Sequence, residues 1–120
     1  MFFSKNTKTT GDKAEDIACK HLTKNKINII ERNFKNRSGE IDIIALDKDT
    51  LLFVEVKYRK SDSHGQPYEN VTAQKQHKII QTAEYYLQKN PRLSHNDCRF
   101  DVISIHNNDI TWLKNAFDAS

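Results

Sequence analysis

The chain of 120 residues has few of the residues that mark non-globular or disulfide-stabilised proteins: three glycines, two prolines and two cysteines. So little glycine and proline, with no low-complexity tract, excludes a collagen-like or disordered chain. Cys19 and Cys98 lie far apart and outside any C-x-x-C spacing, which excludes a disulfide framework and is typical of a reduced, cytoplasmic protein.

Long apolar runs are also absent. No stretch is long enough to cross a bilayer, and residues 1–5 lack the apolar core of a secretory signal. A chain of this size buries roughly two-thirds of its unfolded surface, enough for one sheet with a few helices. We therefore expect a soluble cytoplasmic protein with no membrane partner, in which residues 1–10 form a flexible N-terminal segment and residues 11–120 a single domain.

Several common binding motifs are missing as well. The five histidines fall at no metal-ligand spacing, so a zinc site is not expected. There is no glycine-rich phosphate loop. The net charge of +3 is too small to identify a nucleic-acid-binding protein, but residues 1–40 carry nine basic and five acidic groups. This basic third would suit a phosphate backbone, and a solvated helix face explains it equally well.

Hydrophobic periodicity predicts a mixed α/β fold. A first helix begins near Asp12, and Glu15 borders its apolar stripe, from where a carboxylate can point into a cleft. Strands are predicted at residues 27–34, 40–46, 51–59, 99–105 and 110–113, with a second helix, capped by Thr72, after a loop at residues 60–70. The predicted apolar stripes of the two helices comprise Ala14, Ile17, Ala18 and Leu22, and Ile79, Ile80, Ala83, Tyr86 and Leu87.

The second and third strands place ionisable groups together. A tight turn at residues 48–49 pairs residues whose numbers sum to 97, so Asp42 faces Glu55 and Glu40 faces Lys57 on one face of the hairpin. Ile41 and Ile43 then point to the other face. Two carboxylates about 5 Å apart repel by roughly 3 kcal/mol at an effective dielectric constant near 20. A divalent cation held by oxygen ligands, or protonation of one acid, would relieve this repulsion.

A lone E-x-K is more often a pair of ordinary polar positions on the solvated face of a hairpin. Here Leu51 and Phe53 share the face with Glu55 and Lys57, and an apolar face that becomes ionic at one end is typical of a site. In the second helix, Lys75 and Lys78 occupy the first turns, where they oppose the helix dipole; phosphate contact or simple solvation explains them. Asp101 is expected to be structural and Trp112 to belong to the core.

Five motifs together resemble the YraN-like family of uncharacterised bacterial proteins, and the resemblance extends from Gly11 to Phe117. The motifs are residues 32–34 (RNF), 38–45 (SGEIDIIA), 53–59 (FVEVKYR), 75–78 (KQHK) and 97–102 (DCRFDV). That family is similar to the PD-(D/E)xK nuclease superfamily and to archaeal-type Holliday junction resolvases. Their restriction-endonuclease-like core is a helix, a three-stranded antiparallel meander, a helix and a further strand, in a mixed sheet flanked by helices.

The resemblance implies a site. Asp42 matches the acid of the first motif, Glu55 and Lys57 match the E-x-K, and Glu15 matches the acid on the first helix; Ile41 replaces the proline before the motif aspartate. The implied ligands of Mg²⁺ or Mn²⁺ are Asp42, Glu55, the Val56 carbonyl and Glu15. Lys57 would orient or activate the attacking water, with Glu40 supporting the metal site or anchoring Lys57. The implied nucleic-acid contacts are Arg59, Lys60, Lys75 and Lys78.

The sequence-based hypothesis is thus a metal-dependent endonuclease acting on nucleic acid, DNA in the first place, and on branched recombination or repair intermediates in particular. Symmetric cutting of two strands would require a homodimer. Two alternatives belong to other classes. One is a module of this fold that binds nucleic acid without turnover, and the other is a protein-interaction domain without salt-dependent nucleic-acid binding.

Overall fold

The computed structural model describes residues 10–59 and 71–118. Two α-helices and five β-strands follow one another as helix, three strands, helix and two strands. They are α1 (Thr10–Lys24), β1 (Asn28–Asn36), β2 (Gly39–Asp47), β3 (Thr50–Arg59), α2 (Ala73–Lys89), β4 (Asp97–His106) and β5 (Asp109–Phe117), with a 3₁₀ turn at Pro91–Leu93.

The strands form one five-stranded mixed sheet in the order β1-β2-β3-β4-β5. β3 and β4 are parallel and the other neighbours are antiparallel. Because side chains alternate along β3, Leu52 and Val54 pack with α1 whereas Leu51 and Phe53 pack with α2. The two helices therefore cover opposite faces of the sheet, and each face has its own hydrophobic core.

Most of the predicted elements are confirmed, and the mixed α/β class with them. β2 and β3 pair from Ile43–Val54 to Asp47–Thr50, which is the predicted register. The Thr72 hydroxyl accepts a hydrogen bond from the Lys75 amide at 3.1 Å and caps α2. The predictions for residues 1–9 and for the loop at 60–70 lie outside the described residues.

Two predictions about which side chains are buried are wrong. Ile17 is 41% exposed, because α1 meets the sheet along a narrower stripe of Ala14, Ala18 and Leu22. Ile41 does not share a face with Ile43: it packs with α2, while Ile43 packs with α1.

The exchange of faces at Ile41 has a local cause in the β1–β2 hairpin. Ile43 pairs with Arg32, which reaches α1, and Ile41 pairs with Phe34, which packs against α2. Between them, Asn33 has a φ of 56°, a left-handed conformation that breaks the regular alternation of a strand. Asp42 lies opposite this irregular point of β1.

Among the described residues, no helix combines the length and the apolar composition that crossing a membrane would require.

Candidate active site

A pocket of about 320 Å³ opens where β2 and β3 meet the first turns of α2. Its walls combine the acidic ends of the two strands with the basic start of the helix. The residues that line it are Gly39, Glu40, Asp42, Glu55, Thr72, Gln74, Lys75, Lys78 and Ile79.

Asp42 and Glu55 form the acidic centre of this pocket. Regular pairing of β2 with β3 stops at Ile43–Val54, and beyond it the Val56 amide donates to Asp42 Oδ2 at 2.8 Å. Glu55 is 5% exposed. Burial and the adjacent Glu55 carboxylate raise the pKa of Asp42 to about 8, although the Val56 hydrogen bond acts in the opposite direction. At neutral pH the pair therefore holds a proton unless another positive charge replaces it.

Two lysines supply positive charge to the pair. Lys75 Nζ lies 2.5 Å from Glu55 Oε2, and Lys57 Nζ lies 3.5 Å from the same oxygen. Burial and the neighbouring Lys75 lower the pKa of Lys57 against the attraction of Glu55. For Lys75, burial favours the neutral form, but the hydrogen bond and charge of Glu55 outweigh it and raise the pKa. The two ammonium groups thus differ in how firmly each retains its proton.

Glu15 lies on α1, on the other face of the sheet, and is not among the residues that line the pocket. It is 8% exposed, and its Oε1 lies 3.4 Å from Arg32 Nη2. Burial raises the pKa of Glu15 above its ordinary value, although hydrogen bonds from Arg32 and Asn33 act in the opposite direction. Its charge contributes to the raised pKa of Asp42, so the two carboxylates lie within electrostatic range of each other.

The predicted site residues separate into those that the fold brings together and those that it does not. Asp42, Glu55, Lys57 and Lys75 form one cluster, and Glu15 acts on it only through its charge. Glu40 and Lys78 line the same pocket.

Three of the predicted site residues are not part of this cluster. Glu40 pairs with Lys35 of β1 rather than with Lys57, because the β2–β3 ladder ends before it reaches them. Arg59 lies at the end of β3, opposite His106, and is not among the residues that line the pocket. Lys60 lies outside the described residues.

Two interactions were not anticipated from the sequence. One is the direct ion pair between Lys75 and Glu55, for which the only signal is a lysine placed unfavourably in the first turn of a helix. The other is the hydrogen bond between Asn33 and Glu15. Asparagine tolerates a positive φ better than most residues, so the Arg-Asn-Phe run carried a hint of an irregular strand.

Asp101 is the remaining buried carboxylate, and its surroundings explain it without a catalytic role. It accepts hydrogen bonds from Arg99 Nε at 2.8 Å, from Arg99 Nη2 and Trp112 Nε1 at 2.9 Å, and from the Asn115 amide at 2.9 Å. Four donors satisfy both of its oxygens, which agrees with the structural role expected for it.

The pocket offers oxygen donors of the kind that Mg²⁺ and Mn²⁺ prefer. No three histidine, cysteine, aspartate or glutamate side chains within residues 10–59 and 71–118 converge as a ready-made metal centre. The Asp42–Glu55 pair fits a cation that keeps several water ligands, because it offers adjacent carboxyl oxygens and a bound cation would displace the proton that burial holds on Asp42.

The fold and the pocket define a small mixed α/β protein with a half-buried cluster of carboxylates and lysines. Residues 14–105 match the model of the uncharacterised protein family UPF0102, and the chain belongs to that family, as the YraN-like motifs predicted.

Relatives match along most of their lengths. A UPF0102 protein of Francisella tularensis subsp. novicida (strain U112) is 51% identical over 108 residues, which cover 89% of this chain and 92% of the relative. One from Aliivibrio salmonicida (strain LFI1238) is 44% identical over 114 residues, covering 92% of this chain and 93% of the relative. One from Stutzerimonas stutzeri (strain A1501) is 39% identical over 117 residues, covering 94% and 98%. These names state no activity.

Proposed function

We propose that the protein is a Mg²⁺- or Mn²⁺-dependent endonuclease that hydrolyses phosphodiester bonds of nucleic acid, with DNA as its first candidate substrate. The observation that carries the proposal is the cluster of Asp42, Glu55, Lys57 and Lys75. Three of its members, Asp42, Glu55 and Lys75, line one pocket. A binding surface alone does not need adjacent buried carboxylates, which repel each other and would repel phosphate.

The order of the elements supports the same proposal at the level of the fold. A helix, three antiparallel strands, a second helix and a parallel fourth strand follow the order given above for the PD-(D/E)xK nuclease core. Asp42 and Glu55, carried by β2 and β3, meet where regular pairing of those strands ends. The fold alone does not determine activity, which depends on the side chains in the pocket.

Each side chain has a role that suits its position. Asp42 and Glu55 would hold the metal ion, with the Val56 carbonyl and Glu15 as further oxygen donors. The bound ion would lower the pKa of a coordinated water and polarise the phosphate. Lys57, which burial inclines towards releasing its proton, would orient or deprotonate the attacking water beside Glu55. Glu40 would support the cluster from the pocket wall.

The remaining basic residues would bind substrate. Lys75 and Lys78 line the pocket and would contact phosphates next to the scissile one, which would give affinity without reading base sequence. Arg59, and Lys60 after it, would extend these contacts from the end of β3. Branched intermediates would be cut on two strands by a homodimer. A light-scattering mass equal to one chain at micromolar concentration would contradict the dimer.

The experiment is a cleavage assay with Mg²⁺ or Mn²⁺ on labelled four-way junction, flap, duplex and single-stranded DNA, and on RNA. Asp42→Asn and Glu55→Gln are the site variants, and Asp49→Asn, at an exposed acid of the β2–β3 turn, is the matched control. We expect cleavage by the wild-type protein and the control, and none by the site variants or in EDTA. Cleavage that survives both site substitutions would refute the assignment.

A second candidate function is a module that binds nucleic acid without turnover. Two observations favour it: Lys75 already provides Glu55 with a counter-charge, and the described residues contain no convergent group of three metal-ligating side chains. Salt-dependent binding by the wild-type protein and both site variants, with every substrate left intact in both metals, would establish this candidate in place of the nuclease.

A further inference from the structure

Positive charge is segregated beside the pocket. Residues 32–39 of the β1–β2 hairpin and residues 73–83 of α2 together contain five lysines and arginines and no acidic residue. Arg32 contacts Glu15 and Asp16, and Lys75 contacts Glu55, so these two charges serve partners within the protein. The other three side chains belong to exposed residues: Lys35, Arg37 and Lys78.

The hairpin tip and α2 are in direct contact, so Arg37 and Lys78 belong to one surface. Lys35 lies between Phe34 and Asn36, which both face α2, so strand alternation turns Lys35 to the other face, where it is paired with Glu40. A Cβ at Gly39 would lie 3.5 Å from Lys78 Cβ and 3.4 Å from Thr82 Oγ1. Arg37 is two residues from Gly39, so its Cα lies within roughly 7 Å of that of Gly39. Gly39 and Lys78 also line the pocket, which makes the hairpin tip continuous with the pocket rim.

The hairpin tip is held rigidly in this position. Asn36 Oδ1 accepts from the amides of Ser38 at 2.9 Å and Gly39 at 3.2 Å, and from Thr82 Oγ1 at 3.4 Å. Phe34 packs edge-on against Tyr86 of α2, with ring centroids 5.0 Å apart. A fixed backbone reduces the entropy lost when the flanking basic side chains bind a ligand.

We propose that Arg37 and Lys78 form a phosphate-binding ridge that holds the nucleic-acid backbone leading into the pocket. This inference rests on the proposed function in one respect: the pocket receives the reacting phosphate, and the ridge binds phosphates further along the same strand. Binding is electrostatic and independent of base sequence, because these side chains reach the backbone rather than base edges.

The composition of the ridge favours nucleic acid over an acidic protein. Residues 35–39 of the hairpin are Lys, Asn, Arg, Ser and Gly, none of which is apolar. The centre of a protein–protein interface is depleted in charge and enriched in aromatic and aliphatic side chains. A chain of phosphates requires only cations and hydrogen-bond donors on its partner.

The test measures binding in EDTA, where cleavage does not intervene. Fluorescence anisotropy with two 20-base-pair DNA duplexes of unrelated sequence, and with an RNA duplex, is recorded for the full-length chain across a series of salt concentrations. The variants are Arg37→Gln and Lys78→Gln. Lys48→Gln is the control, because this exposed lysine follows the end of β2 that is far from the ridge. At about 3.3 Å per residue, the two ends of β2 are roughly 26 Å apart. Circular dichroism checks that each variant is folded.

We expect each ridge variant to reduce the slope of log K against log salt by about one, equally for both DNA sequences, and the control to leave it unchanged. Comparing the RNA duplex with the DNA duplexes shows whether the ridge binds a DNA or an RNA backbone. Unchanged slopes in Arg37→Gln and Lys78→Gln would overturn the ridge, as would wild-type protein that binds polyglutamate but neither nucleic acid. Cleavage by the wild-type protein together with unchanged slopes in the variants would reject the ridge but not the proposed nuclease. Reduced slopes in the variants without any cleavage by the wild-type protein would support the ridge and reject the nuclease.

Discussion

Replacing Asp42 with asparagine is expected to stabilise the metal-free protein above neutral pH. Well below pH 3.8 the Asp42 carboxyl is protonated in both the folded and unfolded states. As the pH rises from 3.8 to about 8, the unfolded chain releases this proton while the folded chain retains it, so wild-type stability is lost across this window. Asparagine carries no titrating group, and its side-chain oxygen can still accept the Val56 amide.

The size of the effect follows from the pKa. A shift from 3.8 to about 8 corresponds to an upper limit of about 6 kcal/mol at 1.36 kcal/mol per pKa unit. Side chains and water rearrange around an ionised carboxylate, so we expect a gain of about 2 to 4 kcal/mol in the free energy of unfolding at pH 8.5. For a chain of this size that is about 10 °C in the melting temperature.

The assay is urea unfolding followed by circular dichroism in EDTA at pH 5 and pH 8.5. The advantage of Asp42→Asn should be larger at pH 8.5, and Asp49→Asn should show no such difference. Adding Mg²⁺ at pH 8.5 should raise the melting temperature of the wild-type protein and leave that of Asp42→Asn unchanged. A variant no more stable than the wild-type protein at pH 8.5 would refute the claim that the carboxylate pair is electrostatically unfavourable.

Three further substitutions test other parts of the structure. Thr72→Ala removes the N-cap of α2 and should lower the free energy of unfolding by about 1 kcal/mol in urea, with Thr72→Ser close to the wild-type value. Asp101→Ala leaves the donors of Arg99 and Trp112 without their acceptor and should cost about 3 kcal/mol or more in the same assay; a cost below 1 kcal/mol would contradict the structural role. Lys57→Met should reduce the single-turnover cleavage rate by about 100-fold while duplex affinity in EDTA changes little, and equal losses in both would assign Lys57 to binding instead.

The register of β2 and β3 could be predicted because local chemistry determines it. A two-residue turn fixes which residues face each other, and Lys48 adopts the positive φ, 56°, that such tight hairpin turns use. The alternation of a strand then sends Leu52 and Val54 to one face and Leu51 and Phe53 to the other. Since the same alternation carries Glu55 to the face of Leu51 and Phe53, an ionic end to an apolar face could be recognised from the sequence.

The surroundings of Asp42 could not be predicted in the same way. The prediction assumed a regular ladder through Glu40 and Lys57, whereas Asn33 in a left-handed conformation exchanges the two faces of the β1–β2 hairpin. A single backbone angle in β1 therefore moves Ile41 from one core to the other. The approach of Lys75 to Glu55 depends on how α2 lies across the sheet, and that tertiary placement leaves no periodic signal in the sequence.

The energetic cost of this arrangement is itself an argument for function. The protein satisfies the buried charge of Asp101 completely, with four hydrogen bonds. At Asp42 it tolerates a carboxyl group whose ionisation is opposed by burial and by Glu55, although asparagine would remove that opposition and keep the Val56 hydrogen bond. Local rules are broken in this way mainly where a ligand supplies the missing interaction. A cation bound by the wild-type pair and not by Asp42→Asn is the ligand that would resolve this conflict.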